Sequence, residues 1–220
     1  MSGGGEVRPW SRNGKEFTAK FPDVQAALGA QLTTDCVLHS ELVVRTGDRL
    51  DFDALQQRMV NTATTVRRRL APTQPASFVA FDVLAVGDVD VRPMRWTIRR
   101  QRLESLAASW VPPPQVSTVT AEVDEAREWL DAFKSSGVEG LVVKGASTRY
   151  QPGRRDWVKV DSVGVNRVRL AGWTSSARST AIGVDWLCTT TVGHRWGRPV
   201  RPFESGPTRR RGGSGRPVRG

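Results

Sequence analysis

The sequence predicts a fold of the α+β class. Between about Arg8 and Asp161, runs of β-branched and aromatic residues alternate with amphipathic stretches, and turn-forming residues separate the two. With 220 residues, the chain is long enough to bury one sizeable core. Beyond Trp173 the alternation stops. We therefore expect one mixed domain, followed by a region of different character.

Strands are predicted where β-branched and aromatic residues cluster between turn signals. The segments "CVLHSELVV" at 36–44 and "SFVAFDVLAV" at 77–86 have this composition. Two further strands are expected at 139–144 and 156–160, on either side of the basic, turn-rich loop "ASTRYQPGRR". The last strand-like pieces lie at 165–173 and 182–187.

Helices are predicted at 51–60, 97–109 and 122–137. In the last of these, the apolar residues fall on one face at helical spacing, and Gly137 supplies a stop signal at the end. The proline run "VPPPQ" at 111–115 breaks the preceding helix and predicts an exposed connection.

The charge of the chain is unevenly distributed. The net charge is +11, but residues 195–220 carry eight arginines against one acidic residue, Glu204. This segment is rich in glycine and proline and has no apolar periodicity, so we expect it to be disordered. A basic tail of this kind can bind phosphate backbones without sequence preference.

Several classes of protein are disfavoured by composition. No window approaches the roughly 18 apolar residues of a membrane span, and "MSGGGEVRPW" has no apolar segment typical of a secretory signal. We therefore expect a cytoplasmic protein without a membrane partner. Cys36 and Cys188 lie far apart without neighbouring His or Cys at ligand spacing, which argues against a disulfide framework and against a zinc site.

Five short motifs carry the functional signal. They are "SRNGKEFT" at 11–18, "HSELVV" at 39–44, "FVAFDVL" at 78–84, "EGLVVKG" at 139–145 and "DWVKVD" at 156–161. In the fourth, a strand that should be buried begins on a carboxylate and ends on an ammonium, and each charge costs several kcal/mol to bury without a partner. A cleft that holds a metal ion and a phosphate would explain both charges.

The order, spacing and flanks of these motifs resemble the nucleotidyltransferase domain of ATP-dependent DNA ligases, particularly the bacterial type. The resemblance covers roughly residues 7–174. It implies an incomplete, ATP-grasp-like nucleotidyltransferase domain of antiparallel sheets with flanking helices. A fragment of an oligonucleotide-binding (OB) fold barrel would follow it. The implied activity is the joining of DNA nicks through AMP transfer, in DNA repair or recombination.

The resemblance also implies a set of nucleotide-binding residues. Glu41 would accept hydrogen bonds from the ribose hydroxyls of ATP. Phe81 would stack on the adenine, although a phenylalanine in a strand can equally serve the core. Lys144 would face a phosphate or form a salt bridge, and Lys159 would approach the α-phosphate.

The remaining implied residues contact metal or DNA. Glu139 would anchor Mg²⁺, which normally uses one or two carboxylates together with substrate phosphates. Arg12 would grip the phosphate at the nick, and Arg154 and Arg155 would contact the DNA backbone. The implied cofactors are ATP and Mg²⁺, and the implied partner of a monomeric protein is nicked double-stranded DNA.

The chain departs from the family pattern in three places. The family's nucleophilic lysine lies in a Lys-x-Asp-Gly motif before the first motif, and the ten residues before Ser11 contain no lysine. The expectation is therefore that self-adenylation is impaired and that no catalytic nucleophile is present, because Lys15 belongs to the turn. Asp161 replaces a second phosphate-binding lysine, and His39-Ser40 replaces the usual Asp-Gly.

The resulting domain prediction has three parts. An adenylation domain that lacks its first strands is expected at 1–161, the incomplete start of an OB-fold at 162–187, and a basic, disordered tail at 188–220. The segment after about residue 180 has the Arg/Gly/Pro-rich composition that a frameshift in a GC-rich coding sequence commonly yields, and our hypothesis is that this segment is out of frame. Two alternatives stay open: a non-catalytic nucleic-acid-binding protein, and an enzyme whose nucleophile comes from a separate chain that carries the missing strand.

Overall fold

The computed structural model describes residues 6–11, 15–138, 140–151, 157–161, 180–183 and 190–194. Within these residues, two β-sheets and several helices form a mixed fold. This architecture confirms the predicted α+β class.

The larger sheet is built around two long strands, β2 and β4. Its strand order is β1-β11-β2-β4-β5, while β3 pairs with β2 and β6 pairs with β4. All of these pairs are antiparallel except β4 with β6. The bounds are β1 Val7–Ser11, β2 Cys36–Thr46, β3 Arg49–Leu50, β4 Ala76–Val86, β5 Val89–Asp90, β6 Pro114–Val116 and β11 Thr190–His194.

The smaller sheet has the strand order β7-β10-β8-β9, and all of its pairs are antiparallel. Its strands are β7 Val119–Thr120, β8 Gly140–Gly145, β9 Val158–Asp161 and β10 Thr180–Gly183. On β8, Leu141 and Val143 pack against the apolar face of the helix Val123–Ala132. The period of two along β8 therefore turns Lys144 the other way, towards the larger sheet.

Most of the described helices pack against the larger sheet, and the last one packs against the smaller sheet. They are α1 Pro22–Gln31, α2 Phe52–Val60, α3 Ala63–Thr65, a π-helix Val66–Leu70, α4 Ala71–Thr73, α5 Trp96–Leu106 and α6 Val123–Ala132, with 3₁₀ turns at Thr18–Lys20 and Phe133–Ser136. The first nine residues of β2 are buried without alternation, as expected for a strand that is covered on both faces. Helix α2 begins where the Asp51 carboxylate accepts a hydrogen bond from the Ala54 N–H at 2.8 Å.

Most predicted elements agree with the structure to within a few residues. The exposed connection predicted at 111–115 is wrong in part, because Pro114 is buried and begins strand β6, which pairs with β4. The strands expected at 36–44 and 77–86 are β2 and β4, and the helix expected at 122–137 is α6 with its 3₁₀ extension. Gly137 ends this unit with a φ of 84°, in the left-handed region that favours glycine. Helix α1 and the helical segment 63–73 were not predicted.

Two short strands lie within the regions that the sequence assigned to a barrel and a tail. Strand β10 pairs with β7 and β8, and β11 lies between β1 and β2. Both strands therefore complete the two sheets described above. The strand predicted at 165–173 lies outside the described residues, and the domain boundaries at 161/162 and 187/188 stay predictions.

The turn predicted in "SRNGKEFT" is supported by pairing on both sides of it. The Ser11 N–H donates to the Lys15 carbonyl at 2.8 Å, and the Phe17 N–H donates to the Pro9 carbonyl at 2.8 Å. The residues between them lie outside the described part of the chain. None of the described helices combines the length and the apolar character that crossing a membrane requires.

Candidate functional site

The candidate site lies where β8 of the smaller sheet faces β2 and β4 of the larger one. His39 comes from β2, Phe81 from β4 and Lys144 from β8. Tyr150 and Trp157 follow β8 in the chain and complete a cluster of aromatic rings, with centroid separations from His39 of 5.7 Å each. The fold thus gathers five residues from three separate parts of the sequence.

Lys144 is the buried cation of this cluster. Its side-chain nitrogen lies 4.6 Å from the centroid of the Phe81 ring and 4.2 Å from that of Trp157. The same nitrogen donates a hydrogen bond to the Phe81 carbonyl at 3.3 Å, and the residue is only 2% exposed. Two aromatic faces and a carbonyl oxygen therefore stabilise a charge that would otherwise be costly to bury.

His39 lies against the same ring. The centroids of His39 and Phe81 are 4.4 Å apart, and the planes are tilted by 54°. Burial, followed by the nearby charge of Lys144, lowers the pKa of His39 to about 3. The imidazole is therefore neutral at physiological pH, which suits a ring that packs beside an ammonium.

Glu41 supplies the carboxylate at this position. It is 6% exposed and lies two residues after His39 on β2, so both side chains project from the same face of the strand. The sequence predicted Glu41, Phe81 and Lys144 as nucleotide-binding residues. Glu41 lies on β2, Phe81 on β4 and Lys144 on β8, and all three are buried.

A β-bulge sets the position of Phe81. In the pairing of β2 with β4, His39 lies opposite Asp82 and Ser40 lies opposite Ala80, so Phe81 is an extra residue without a partner on β2. Bulges of this kind re-aim a side chain and are frequent beside functional sites. Phe81 is 3% exposed, because His39 and Lys144 lie against its ring. Stacking of a base on Phe81 would therefore require these contacts to open.

A buried ion pair lies beneath the cluster. The Arg99 guanidinium of α5 donates to both oxygens of Asp82, each at 2.8 Å, and neither side chain is exposed. Arg99 also donates to the carbonyls of Met94 and Thr148, and it lies 5.9 Å from the ring centroid of Tyr150. This arrangement fixes the loop after β8 to β4 and α5. Burial, followed by the negative charge of Asp82, raises the pKa of the Tyr150 hydroxyl.

Several predicted residues fall outside the described part of the chain, or are described only in their backbone. Arg12, Glu139, Arg154 and Arg155 belong to the first group. Lys159 belongs to the second, and its backbone pairs with Val142 on β8. Within the described residues, no group of three or more His, Cys, Asp or Glu side chains is placed to hold a metal ion.

Sequence reasoning missed the aromatic part of the site. His39 was noted only as a departure from the family's usual Asp-Gly, and Tyr150 and Trp157 were not singled out. Tyr150 is the single tyrosine of the chain, and Trp157 lies within the motif "DWVKVD". The signal was an aromatic residue next to a predicted phosphate-binding strand, but the contact with His39 depends on how the two sheets meet.

Where the two sheets meet, they hold a buried carboxylate, an aromatic ring and a lysine, as the resemblance to a nucleotidyltransferase domain led us to expect. The chain belongs to the ATP-dependent DNA ligase family, because the family model described as "ATP dependent DNA ligase domain" matches residues 1–161. This finding confirms the resemblance that the five motifs predicted.

Individual relatives agree with this assignment. The chain is 34% identical over 185 residues to DNA ligase C of Mycobacterium tuberculosis, which covers 82% of this chain and 51% of the relative. It is 36% identical over 157 residues to DNA ligase C2 of Mycolicibacterium smegmatis, covering 71% and 44%. The chain thus spans about half the length of the curated relatives it matches.

A solved structure shares the fold. Mycobacterial DNA ligase D, in a complex with ATP and MES, superimposes with a TM-score of 0.52 at 26% sequence identity. The match covers 71% of this chain and 51% of that structure. The observed antiparallel sheets with flanking helices are therefore those of a ligase nucleotidyltransferase domain.

Proposed function

We propose that this chain binds ATP with Mg²⁺ beside nicked duplex DNA, as the nucleotidyltransferase part of an enzyme that joins DNA strands in repair or recombination. The observation that carries the proposal is the contact of the buried Lys144 ammonium with the Phe81 ring, with the buried Glu41 on the adjacent strand β2, in a chain of the ATP-dependent DNA ligase family. The solved ligase that matches this fold was crystallised with ATP, which supports the same ligand here.

Each of these residues suits one part of the nucleotide. The Phe81 ring would offer a face for adenine once its contacts with His39 and Lys144 open, and the Glu41 carboxylate would accept hydrogen bonds from ribose hydroxyls. Lys144, and Lys159 on the neighbouring strand β9, would contact the phosphates. Burial of Lys144 strengthens such a contact, because charges interact more strongly where water is excluded.

A carboxylate suits a magnesium ion but does not form a complete protein site. Glu139 offers the oxygen ligands that Mg²⁺ prefers. The described residues provide no cluster of three carboxylate or imidazole ligands. The proposed metal would therefore take its remaining ligands from the nucleotide phosphates and from water, which is the usual arrangement for Mg²⁺. When bound, the ion would neutralise phosphate charge.

The DNA contacts and the surroundings of the domain are proposals of the same kind. Arg12, Arg154 and Arg155 would contact the phosphate backbone of nicked duplex DNA. The OB-fold segment at 162–187 and the tail at 188–220 stay predictions, as do the monomeric state and the location in the cytoplasm.

The test is ATP binding by equilibrium dialysis, with and without Mg²⁺, to the wild-type chain and two lysine variants. Lys144→Met removes the buried charge and keeps the length of the side chain. Because hydrogen bonds to charged groups are worth about 1.5–3 kcal/mol, we expect ATP to bind about 10- to 100-fold more weakly. Lys15→Met, at an exposed position, is the matched control and should bind like wild type.

Two outcomes would contradict the proposal. One is the absence of ATP binding by the wild-type chain at millimolar concentration with Mg²⁺. The other is an equal loss of affinity in both lysine variants, because such a loss would not depend on the cleft. Thermal melting of each variant verifies that the change in affinity is not a change in folding.

A further inference from the structure

Three consecutive arginines form an exposed basic patch on the π-helix Val66–Leu70. We call Arg67, Arg68 and Arg69 the arginine patch. All three are exposed, and none forms an ion pair or a side-chain hydrogen bond with another described residue. Six other arginines in the described part of the chain do pair with carboxylates: Arg8, Arg58, Arg92, Arg99, Arg100 and Arg127.

The charge of the arginine patch is not offset locally. Residues 54–81 contain no aspartate or glutamate. The nearest other arginine in sequence, Arg58, is fully buried, and its charge is matched by Asp23 in a two-pronged ion pair with distances of 2.7 and 2.8 Å. The patch therefore leaves three like charges on one exposed helical turn, which an external anion would stabilise.

Two buried residues anchor the π-helix that carries the arginine patch. Val66 and Leu70, at the two ends of the π-helix, are buried in the protein, so the three residues between them are turned outwards. The Ala71 N–H donates to the Val66 carbonyl, which gives the wider hydrogen-bonding pattern of a π-helix. Such turns are frequent at functional sites.

A buried network anchors the segment at its C-terminal end. The Arg58 guanidinium donates to the Gln74 carbonyl, and the Asp23 carboxylate accepts from the Ala76 N–H at 2.7 Å. At the other end, the Thr62 hydroxyl accepts from the Thr65 N–H at 3.2 Å and caps the helical segment. A fixed backbone reduces the entropy that is lost when the arginines bind a ligand.

The anion that fits this surface is a nucleic-acid backbone. Duplex DNA presents one negative charge per roughly 1.7 Å of helix axis, so several phosphates can lie within reach of adjacent arginines. Guanidinium groups bind phosphate oxygens in a two-pronged manner, without reading the bases. We infer that the arginine patch contacts the phosphate backbone of the duplex DNA bound by this chain. The inference rests on the proposed function, because it assigns a DNA contact to residues outside the nucleotide cleft.

The experiment measures binding of the full chain to a fluorescein-labelled nicked duplex by anisotropy, between about 50 and 200 mM salt. The test variant carries Arg67→Gln, Arg68→Gln and Arg69→Gln. The control variant carries Arg45→Gln, Arg49→Gln and Arg102→Gln, which removes the same charge from exposed positions without an ion pair to another described residue. Thermal melting verifies that both variants are folded.

The expected result follows from counterion release. Loss of three phosphate contacts should make the slope of log K against log salt shallower by about 2.7. When the salt concentration rises fourfold, the fold-loss of affinity should therefore be about 40 times smaller for the test variant than for wild type. The control variant should keep the wild-type slope.

Two experimental outcomes distinguish a failure of the arginine-patch inference from a failure of the proposed function. Equal slopes in the two variants, whether changed or unchanged, would overturn the role of the arginine patch. Wild-type binding to DNA and ATP would then leave the proposed function standing. No binding of the wild-type chain to nicked duplex at 50 mM salt would overturn the DNA part of the proposed function and the patch with it.

Discussion

The buried pair of Asp82 and Arg99 is expected to be the ion pair on which this fold depends most. Both side chains are fully buried, and Arg99 donates two hydrogen bonds of 2.8 Å to the carboxylate. Asp82→Asn keeps the shape of the side chain but leaves a buried guanidinium without its counter-charge. Breaking a buried pair in this way costs about 3–5 kcal/mol. For a protein of this size, that corresponds to a fall in melting temperature of about 6–20 °C.

The surface pair of Asp90 and Arg92 provides a matched control. Its closest distance is 2.7 Å, but the two side chains are 48% and 32% exposed. Water and salt screen such pairs, so Asp90→Asn should cost less than about 1 kcal/mol. Urea unfolding, followed by the circular dichroism of the helices, measures the free energy of unfolding of both variants.

A third variant tests the reason for the cost. Replacing Asp82 and Arg99 together with leucine removes both charges, so the double variant should be more stable than Asp82→Asn. The reasoning is refuted if Asp82→Asn and Asp90→Asn lose the same free energy of unfolding. It is also refuted if the double leucine variant loses as much as the single variants Asp82→Leu and Arg99→Leu together.

Three further predictions concern single residues. His39 has a pKa of about 3 in the folded protein and about 6.5 when unfolded, so its neutral form contributes stability above pH 6.5 that is lost as the pH falls towards 3. Relative to His39→Leu, the wild type should lose about 1.4 kcal/mol of unfolding free energy per pH unit within this window, and parallel pH curves would contradict this. Burial raises the pKa of the Cys36 thiol to about 12. In a Cys188→Ser background, this thiol should therefore react with Ellman's reagent only after the protein unfolds. Rapid labelling at neutral pH would contradict this prediction. Gly137→Ala should lower the free energy of unfolding by about 1–2 kcal/mol because of its positive φ, and by more because the Leu50 carbonyl lies 3.3 Å from the new Cβ. Gly47→Ala also has a positive φ but no atom near the new Cβ, so it should lose less in the same urea titration.

Strong local patterns made much of the fold predictable. The β-branched runs of β2 and β4 have no competing helical periodicity, and α6 has an apolar face and a glycine stop. Helix α1 escaped prediction because only Val24 and Leu28 of its residues are buried, and the rest of that face is alanine and glycine. The segment 63–73 escaped because two buried residues flank three arginines, a pattern that looks like a solvated loop.

The candidate site was predictable only in part. The motifs identified Glu41, Phe81 and Lys144, because short motifs keep their residue types within one strand. The bulge at Phe81 could not be predicted, because it depends on the register between β2 and β4 and not on the sequence of either strand alone. The contacts of Lys144 with Phe81 and Trp157 also arise between elements, so no local pattern contains them.

Because Lys144 is enclosed, its charge should be less sensitive to salt than the charges on the surface of this molecule. Mobile ions screen exposed charges beyond about 8 Å at physiological ionic strength, but they reach a charge enclosed by aromatic rings far less. Raising the salt concentration should therefore release an oligonucleotide from the outer surface while a small ligand in the cleft stays bound. A single purification could then recover the chain free of DNA with its inner ligand retained.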